Sequence, residues 1–141
     1  MNPEISIRDA SNGDMGPIQV LMSTYFLDIE GISSECFAVA EKQGKIIGAG
    51  AIIKDTFPEI HSIAVHPNYR GTGIGTSLIH HILSRIPTGS LVYARTTCPA
   101  FFESAGFVKA DPSKKAEIWD DCAGCDRLNT CKQSVMCLEL K

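Results

Sequence analysis

The chain is predicted to be a mixed α/β domain, and three observations carry that expectation. Two apolar, strand-like segments around the tight turn at Gln43-Gly44 read as a hairpin. Downstream, an apolar segment from Glu59 to Val65 runs through a glycine-rich turn into a helix-like segment, and a further strand-like segment follows. A strand–helix–strand unit of this kind implies a parallel crossover, which should be right-handed. The composition, 44% apolar and 21% charged over 141 residues, is that of one ordinary globular domain with a real core.

The elements follow in order. Ile5 to Arg8 reads as a short first strand. Ser11-Asn12-Gly13-Asp14 supplies helix-start chemistry, and Ile18, Leu21, Met22 and Tyr25 recur at helical spacing, so a helix is expected over about Asp14 to Phe26. Gly31 to Glu35 is a loop or a short helical piece. Phe37 to Ala40 and Lys45 to Ile53 are the hairpin strands. In the strand from Glu59 to Val65, Ile60 and Ser62 share one face, and Glu59, His61 and Ile63 share the other. Pro67-Asn68 breaks that strand. A helix is expected from about Gly73 to Arg85, with Ile74, Leu78, Ile79, Ile82 and Leu83 inward. Leu91 to Ala94 is another strand, Pro99 to Ala105 a short helix with Gly106 as its C-cap, and Phe107 to Lys109 the start of a strand. Residues 111–137 form a cysteine-rich excursion, polar and irregular over 111–130, and the weak alternation of Val135 to Leu140 suggests a closing edge strand.

The run Arg70-Gly71-Thr72-Gly73-Ile74-Gly75 is the richest in chemistry. A glycine turn that opens a helix leaves the first amides of that helix unpaired, and the helix dipole favours negative charge there. Glycine lets the backbone approach a phosphate without a side chain in the way. The turn should therefore hold a phosphorylated ligand, the plain alternative being a tight strand-to-helix turn with no ligand. A net charge of -3 with no long basic block disfavours nonspecific nucleic-acid binding. No apolar stretch reaches the length of a membrane span, and the N-terminal residues show no basic-then-apolar signal, so a cytoplasmic protein is expected.

Six cysteines is a high count. Cys122, Cys125, Cys131 and Cys137 offer four soft ligands within sixteen residues, a set suited first to zinc and second to an iron–sulfur cluster. Free thiols or a redox disulfide are the alternatives. Cys36 and Cys98 read as small packing residues.

Ile63-Ala64-Val65-His66-Pro67-Asn68-Tyr69-Arg70-Gly71-Thr72-Gly73-Ile74-Gly75 resembles motif A of the GCN5-related N-acetyltransferases (GNAT), and Ala100-Phe101-Phe102-Glu103-Ser104-Ala105-Gly106-Phe107 is similar to the family's aromatic helix motif. Two motifs in the right order, with a strand between them, carry the likeness. It covers roughly Ile5 to Lys109. Arg95-Thr96-Thr97-Cys98-Pro99-Ala100-Phe101-Phe102-Glu103 looks closest to the acetyltransferase domain of N-acetylglutamate synthases.

The resemblance implies the GNAT fold, a central mixed sheet with two splayed parallel strands, and acetyl-CoA as donor. It implies that the pyrophosphate sits on the backbone of Arg70, Gly71, Thr72, Gly73, Ile74 and Gly75, with Thr76 adding a hydroxyl. The pantetheine arm would pair with Ile63, Ala64 and Val65, and Phe102 would border the coenzyme. Acyl transfer needs a deprotonated amine, for which Glu59 and His61 are the candidate bases. Their plain alternatives are a solvated strand-end charge and an ordinary half-buried histidine. Phe102 stands where many members carry a proton-donating tyrosine, so the thiolate leaves unprotonated or water serves. Cys98 has the alternative of a reactive thiol near the coenzyme. The expected acceptor is a small-molecule amine, with glutamate the leading amino acid. A carboxylate-bearing acceptor would want a cation near Arg95 or Lys109. Rival readings are an acyl-CoA-binding sensor module coupled to the cysteine cluster, and an acetyltransferase of protein N-termini or lysines. A homodimer is left open.

Overall fold

The computed structural model describes residues 5–54, 57–96, 98–111 and 134–140. Its strands are β1 (Ile5–Asp9), β2 (Phe37–Lys42), β3 (Lys45–Lys54), β4 (Pro58–Val65), β5 (Leu91–Thr96), β6 (Val108–Lys109) and β7 (Ser134–Glu139). Its α-helices are α1 (Met15–Thr24), α2 (Ile74–Leu83) and α3 (Pro99–Ser104). The chain divides into two units, Met1–Ile53 with Ile60–Ile86, and Lys54–Glu59 with Pro87–Lys141. The strands pair in both senses among the described residues, which is the mixed α/β class expected from the sequence.

In the first unit β1 pairs antiparallel with β2, and β2 antiparallel with β3. The hairpin turns on Gln43 and Gly44, at φ 51° and 79°. Two left-handed residues are what a two-residue hairpin requires, because their twist matches that of the strands. Helix α2 buries Ile74, Leu78, Ile79, Ile82 and Leu83, the stripe expected from its spacing. Gly48 and Gly50 on β3 make room for it. A Cβ at Gly50 would lie 2.8 Å from Ile82 Cδ1, and one at Gly48 would lie 3.1 Å from both Ile74 Cγ2 and Leu78 Cδ1. Helix α1 buries Ile18, Leu21 and Met22 against Phe37, Val39, Ala49, Ala51 and Ala64.

Charged groups lock the rim of this unit. Arg8 on β1 bonds both oxygens of Asp14, at 2.8 and 3.0 Å, and Glu41 on β2 at 2.7 Å. That guanidinium, with the Ser11 amide at 2.8 Å, holds the Asp14 carboxyl well below the usual carboxylate range. His81 of α2 and Arg85, two residues past its end, both meet Asp9 and hold its carboxyl low in the same way.

In the second unit β5 pairs antiparallel with β7 from Leu91↔Glu139 to Thr96↔Ser134, and β6 pairs antiparallel with β7. The start of β4 joins β5 in parallel at Glu59↔Tyr93. Strand β7 corrects an expectation: it lies between β5 and β6 and is not an edge. Its consecutive residues Val135 and Met136 are both buried, as an inner strand covered on two faces allows, and this is why its alternation is weak. The two-residue β6, exposed at both positions, takes the edge.

Candidate functional site

Strand β4 ends at Val65, a 3₁₀ turn spans Pro67–Tyr69, and α2 begins at Ile74. The turn is pinned by His66, whose amide donates to Ile47 O at 2.8 Å and whose Nδ1 accepts from the Asn68 amide at 3.1 Å. Thr72 Oγ1 donates to Tyr69 O at 2.5 Å. Gly71 and Gly73 have φ of 78° and 86°, and nothing lies within 4 Å of where their Cβ atoms would be. The left-handed backbone therefore demands glycine, and the space above it is open. No side chain caps α2; its ladder begins with the Ser77 amide donating to Gly73 O at 3.0 Å. The amides of Ile74, Gly75 and Thr76 precede that bond and are directed outward.

The expected site residues divide by where the fold puts them. Ile74 and Gly75 are buried and Thr76 is half-buried, so Ile74 offers its amide while its side chain serves the core. Arg70 is exposed, its guanidinium 5.8 Å from the Tyr25 ring centroid. On β4, Ala64 is buried, whereas His61, Ile63 and Val65 are half-buried on the opposite face, the alternation expected of this strand. His61 Nδ1 lies 2.7 Å from Ser62 Oγ. Tyr25 was read only as a helix-face residue. Its hydroxyl donates to Val65 O at 2.5 Å, across forty residues of sequence, and no local signal marks that bond.

Glu59 is not a solvated strand-end charge. It is 9% exposed, and Arg95 Nε of β5 lies 3.9 Å from its Oε2. Phe102 packs in the aromatic cluster of its unit. It is 4% exposed and sits edge-on to Phe101 and Phe107, at 5.3 Å from each ring centroid. Cys98 is exposed rather than packed, because it stands at the N-cap of α3, where its amide donates to Thr96 Oγ1. Cys36 is half-buried, with its sulfur 3.8 Å from Ser33 Oγ. Cys122, Cys125 and Cys131 lie outside the described residues; Cys137 is on β7, partly buried beside Tyr93 and Val135. No cluster of three metal-ligating side chains occurs among the described residues.

A strand, a left-handed glycine turn and an uncapped helix start define the α/β frame of the candidate site. The model of the acetyltransferase (GNAT) domain matches residues 33–109. That is more than half of the chain, and the chain belongs to this family of acetyl-CoA-dependent acyltransferases. No curated protein matches the sequence. Among solved structures, N-acetylglutamate synthase from Neisseria gonorrhoeae, complexed with coenzyme A and N-acetyl-glutamate, is similar over 100% of this chain and 36% of its own, at 21% identity and a TM-score of 0.76. The chain thus spans about a third of that synthase. Rv2747 from Mycobacterium tuberculosis, in complex with CoA and a second ligand, is similar over 96% and 99% of the two chains, at 23% identity and 0.75. Naa50 from Arabidopsis thaliana, in complex with a bisubstrate analogue, is similar over 97% and 99%, at 17% identity and 0.69. At these identities the likeness is one of fold. No helix among the described residues is long and apolar enough to cross a membrane.

Proposed function

We propose that the chain transfers the acetyl group of acetyl-CoA to the amine of a small molecule, an amino acid such as glutamate being the leading acceptor. The observation that carries this reading is the open left-handed turn at Gly71 and Gly73 ahead of the uncapped α2. The diphosphate would lie on the amides of Ile74, Gly75 and Thr76, where partial positive charge is fixed before the ligand arrives. The half-buried face of β4 would carry the pantetheine arm along Ile63 to Val65. The Val65 amide would polarise the thioester carbonyl, as the family resemblance implies.

In the step itself the amine nitrogen attacks the thioester carbonyl, the N–C bond forms, the C–S bond breaks and CoA leaves as thiolate. The proton lost from the amine passes to Glu59 or His61. The Phe102 ring has no hydroxyl to protonate the thiolate, so water takes that part. That the gonococcal synthase was solved with N-acetyl-glutamate supports an amino-acid acceptor.

The test is CoA release from acetyl-CoA against a panel of amino acids and amines. Acceptor-dependent release is expected, and Glu59→Gln or His61→Ala should slow turnover more than it weakens CoA binding. Full activity in both variants would reject the choice of base. Tight CoA binding with no release across the panel would favour a non-catalytic acyl-CoA sensor instead, and release only with peptides would favour a protein acetyltransferase. We also propose that Cys122, Cys125, Cys131 and Cys137 bind zinc, on the strength of their spacing. Metal analysis of anaerobically purified protein tests this, and a metal-free product discards it.

A further inference from the structure

A hydrogen bond between His61 and Ser62 of β4 decides what the histidine can do. Ser62 is 4% exposed, and its hydroxyl has one hydrogen-bond partner among the described residues, His61 Nδ1 at 2.7 Å. Neighbours along a strand ordinarily point to opposite faces, so the ring is turned back across the strand to make this bond. Either atom can supply the hydrogen, and the two cases differ in what they leave behind. If Nδ1–H donates, the Ser62 oxygen accepts and its own O–H is left buried with no acceptor, a cost that native proteins rarely carry. If Ser62 donates, its hydroxyl is satisfied and Nδ1 receives the hydrogen on its lone pair. A neutral imidazole carries one N–H, so the ring hydrogen then lies on Nε2. His61 is half-buried, and its Nε2 has no hydrogen-bond partner among the described residues.

We propose that Ser62 is a positioning residue that holds neutral His61 as its Nε2–H tautomer, so that His61 serves the reaction as an N–H donor and not as its base. This rests on the acetyltransferase reading and narrows it. A base must offer a lone pair. On Nε2 that requires the ring hydrogen on Nδ1, and the imidazolium formed by taking the amine's proton carries Nδ1–H as well. Both states leave the Ser62 hydroxyl buried without an acceptor. The amine's proton therefore goes to the other candidate, Glu59. A fixed Nε2–H suits the negative charge that develops as the C–S bond breaks, and it needs no reorientation at that moment.

The experiment reads the tautomer directly. Long-range proton–nitrogen NMR spectra of the full chain, labelled with nitrogen-15 histidine and held at alkaline pH so that the rings are neutral, report which nitrogen carries hydrogen in each of the four histidines. His61→Gln identifies the His61 signals by their loss. In the wild type Nε2–H should exceed Nδ1–H by roughly tenfold or more, the preference that an unpaired buried hydroxyl implies. Ser62→Ala has no hydroxyl to satisfy and should show both forms. A wild type with its hydrogen on Nδ1 overturns the proposal, and so does a Ser62→Ala spectrum with the wild-type ratio. Kinetics test the donor role, with acetyl-CoA and the best acceptor of the amino-acid and amine panel. Gln keeps an N–H donor and offers no base. Its kcat should therefore fall less than that of His61→Leu, by roughly threefold to tenfold, the worth of one hydrogen bond. KM for acetyl-CoA should be the same in both variants. Equal loss of kcat in His61→Gln and His61→Leu overturns the donor role. A wild type that releases no CoA with any acceptor removes the acetyltransferase reading and the donor role with it, while the spectra still decide whether Ser62 sets the tautomer.

Discussion

Replacing Gly73 separates the backbone's role in folding from its proposed role in gripping a diphosphate. At φ 86°, an alanine at this position meets no atom within 4 Å, so its cost is wholly conformational. An L-residue in the left-handed region loses roughly 1–2 kcal/mol. For a chain of 141 residues that lowers the melting midpoint by roughly 2–10 °C. Gly73→Glu carries the same backbone penalty and adds a carboxylate beside the amides of Ile74, Gly75 and Thr76. Each charge-assisted hydrogen bond to a phosphate is worth roughly 1.5–3 kcal/mol, so losing one or more weakens CoA by at least about tenfold. Like-charge repulsion from the new carboxylate adds to that. Calorimetric titration with CoA and thermal unfolding are read on the same samples. Gly73→Ala and Gly73→Glu should melt alike, while Gly73→Glu binds CoA far more weakly. If both variants melt lower yet bind CoA with wild-type affinity, the diphosphate does not sit on this helix start.

The remaining predictions concern stability. Gly50→Ala places a methyl 2.8 Å from Ile82 Cδ1, whose residue is fully buried, so the core must shift and urea unfolding should show a loss of about 1–3 kcal/mol. Wild-type stability in Gly50→Ala would mean that α2 does not pack on β3 this closely. Asp14→Asn removes the negative charge that pairs with Arg8 and one of its two acceptor oxygens, and should cost about 1–3 kcal/mol near neutral pH. The Asp14 pKa is lowered on folding, so its contribution is complete above the unfolded carboxylate value near 4 and fades as pH falls through the folded value. The gap between Asp14→Asn and wild type should therefore close in acid; a gap constant from pH 7 to pH 2 contradicts the pairing. Phe26 is 96% exposed and left-handed at φ 57°. Phe26→Asn, a residue that tolerates this region, should gain about 0.5–1 kcal/mol by thermal unfolding, and a loss would show that the ring makes contacts in solution.

Much of the molecule was written locally. The α2 stripe, the β4 alternation and the turn at Gly71 and Gly73 depend on neighbours within a few residues, and their periods of 3.6 and 2 survive in the one-dimensional string. The hairpin at Gln43-Gly44 is likewise a short-range matter of turn chemistry. What failed to appear there is non-local. Tyr25 reaches Val65 across forty residues. The inner place of β7 depends on which strand arrives on its far side, and no pattern within Val135 to Leu140 specifies that.

The candidate site divides on the same line. The amino-acid sequence by itself determined the left-handed glycine turn proposed to hold the diphosphate, because a glycine helix start needs only its own backbone to take this form. It also named Glu59, His61 and the aromatic residues of α3. Tertiary structure alone decided that Glu59 is buried beside Arg95, that Phe102 is buried edge-on to Phe101 and Phe107, and that Cys98 faces solvent. Burial and charge pairing are set by what the rest of the chain brings alongside, and distant partners leave no period or spacing in the sequence around a residue.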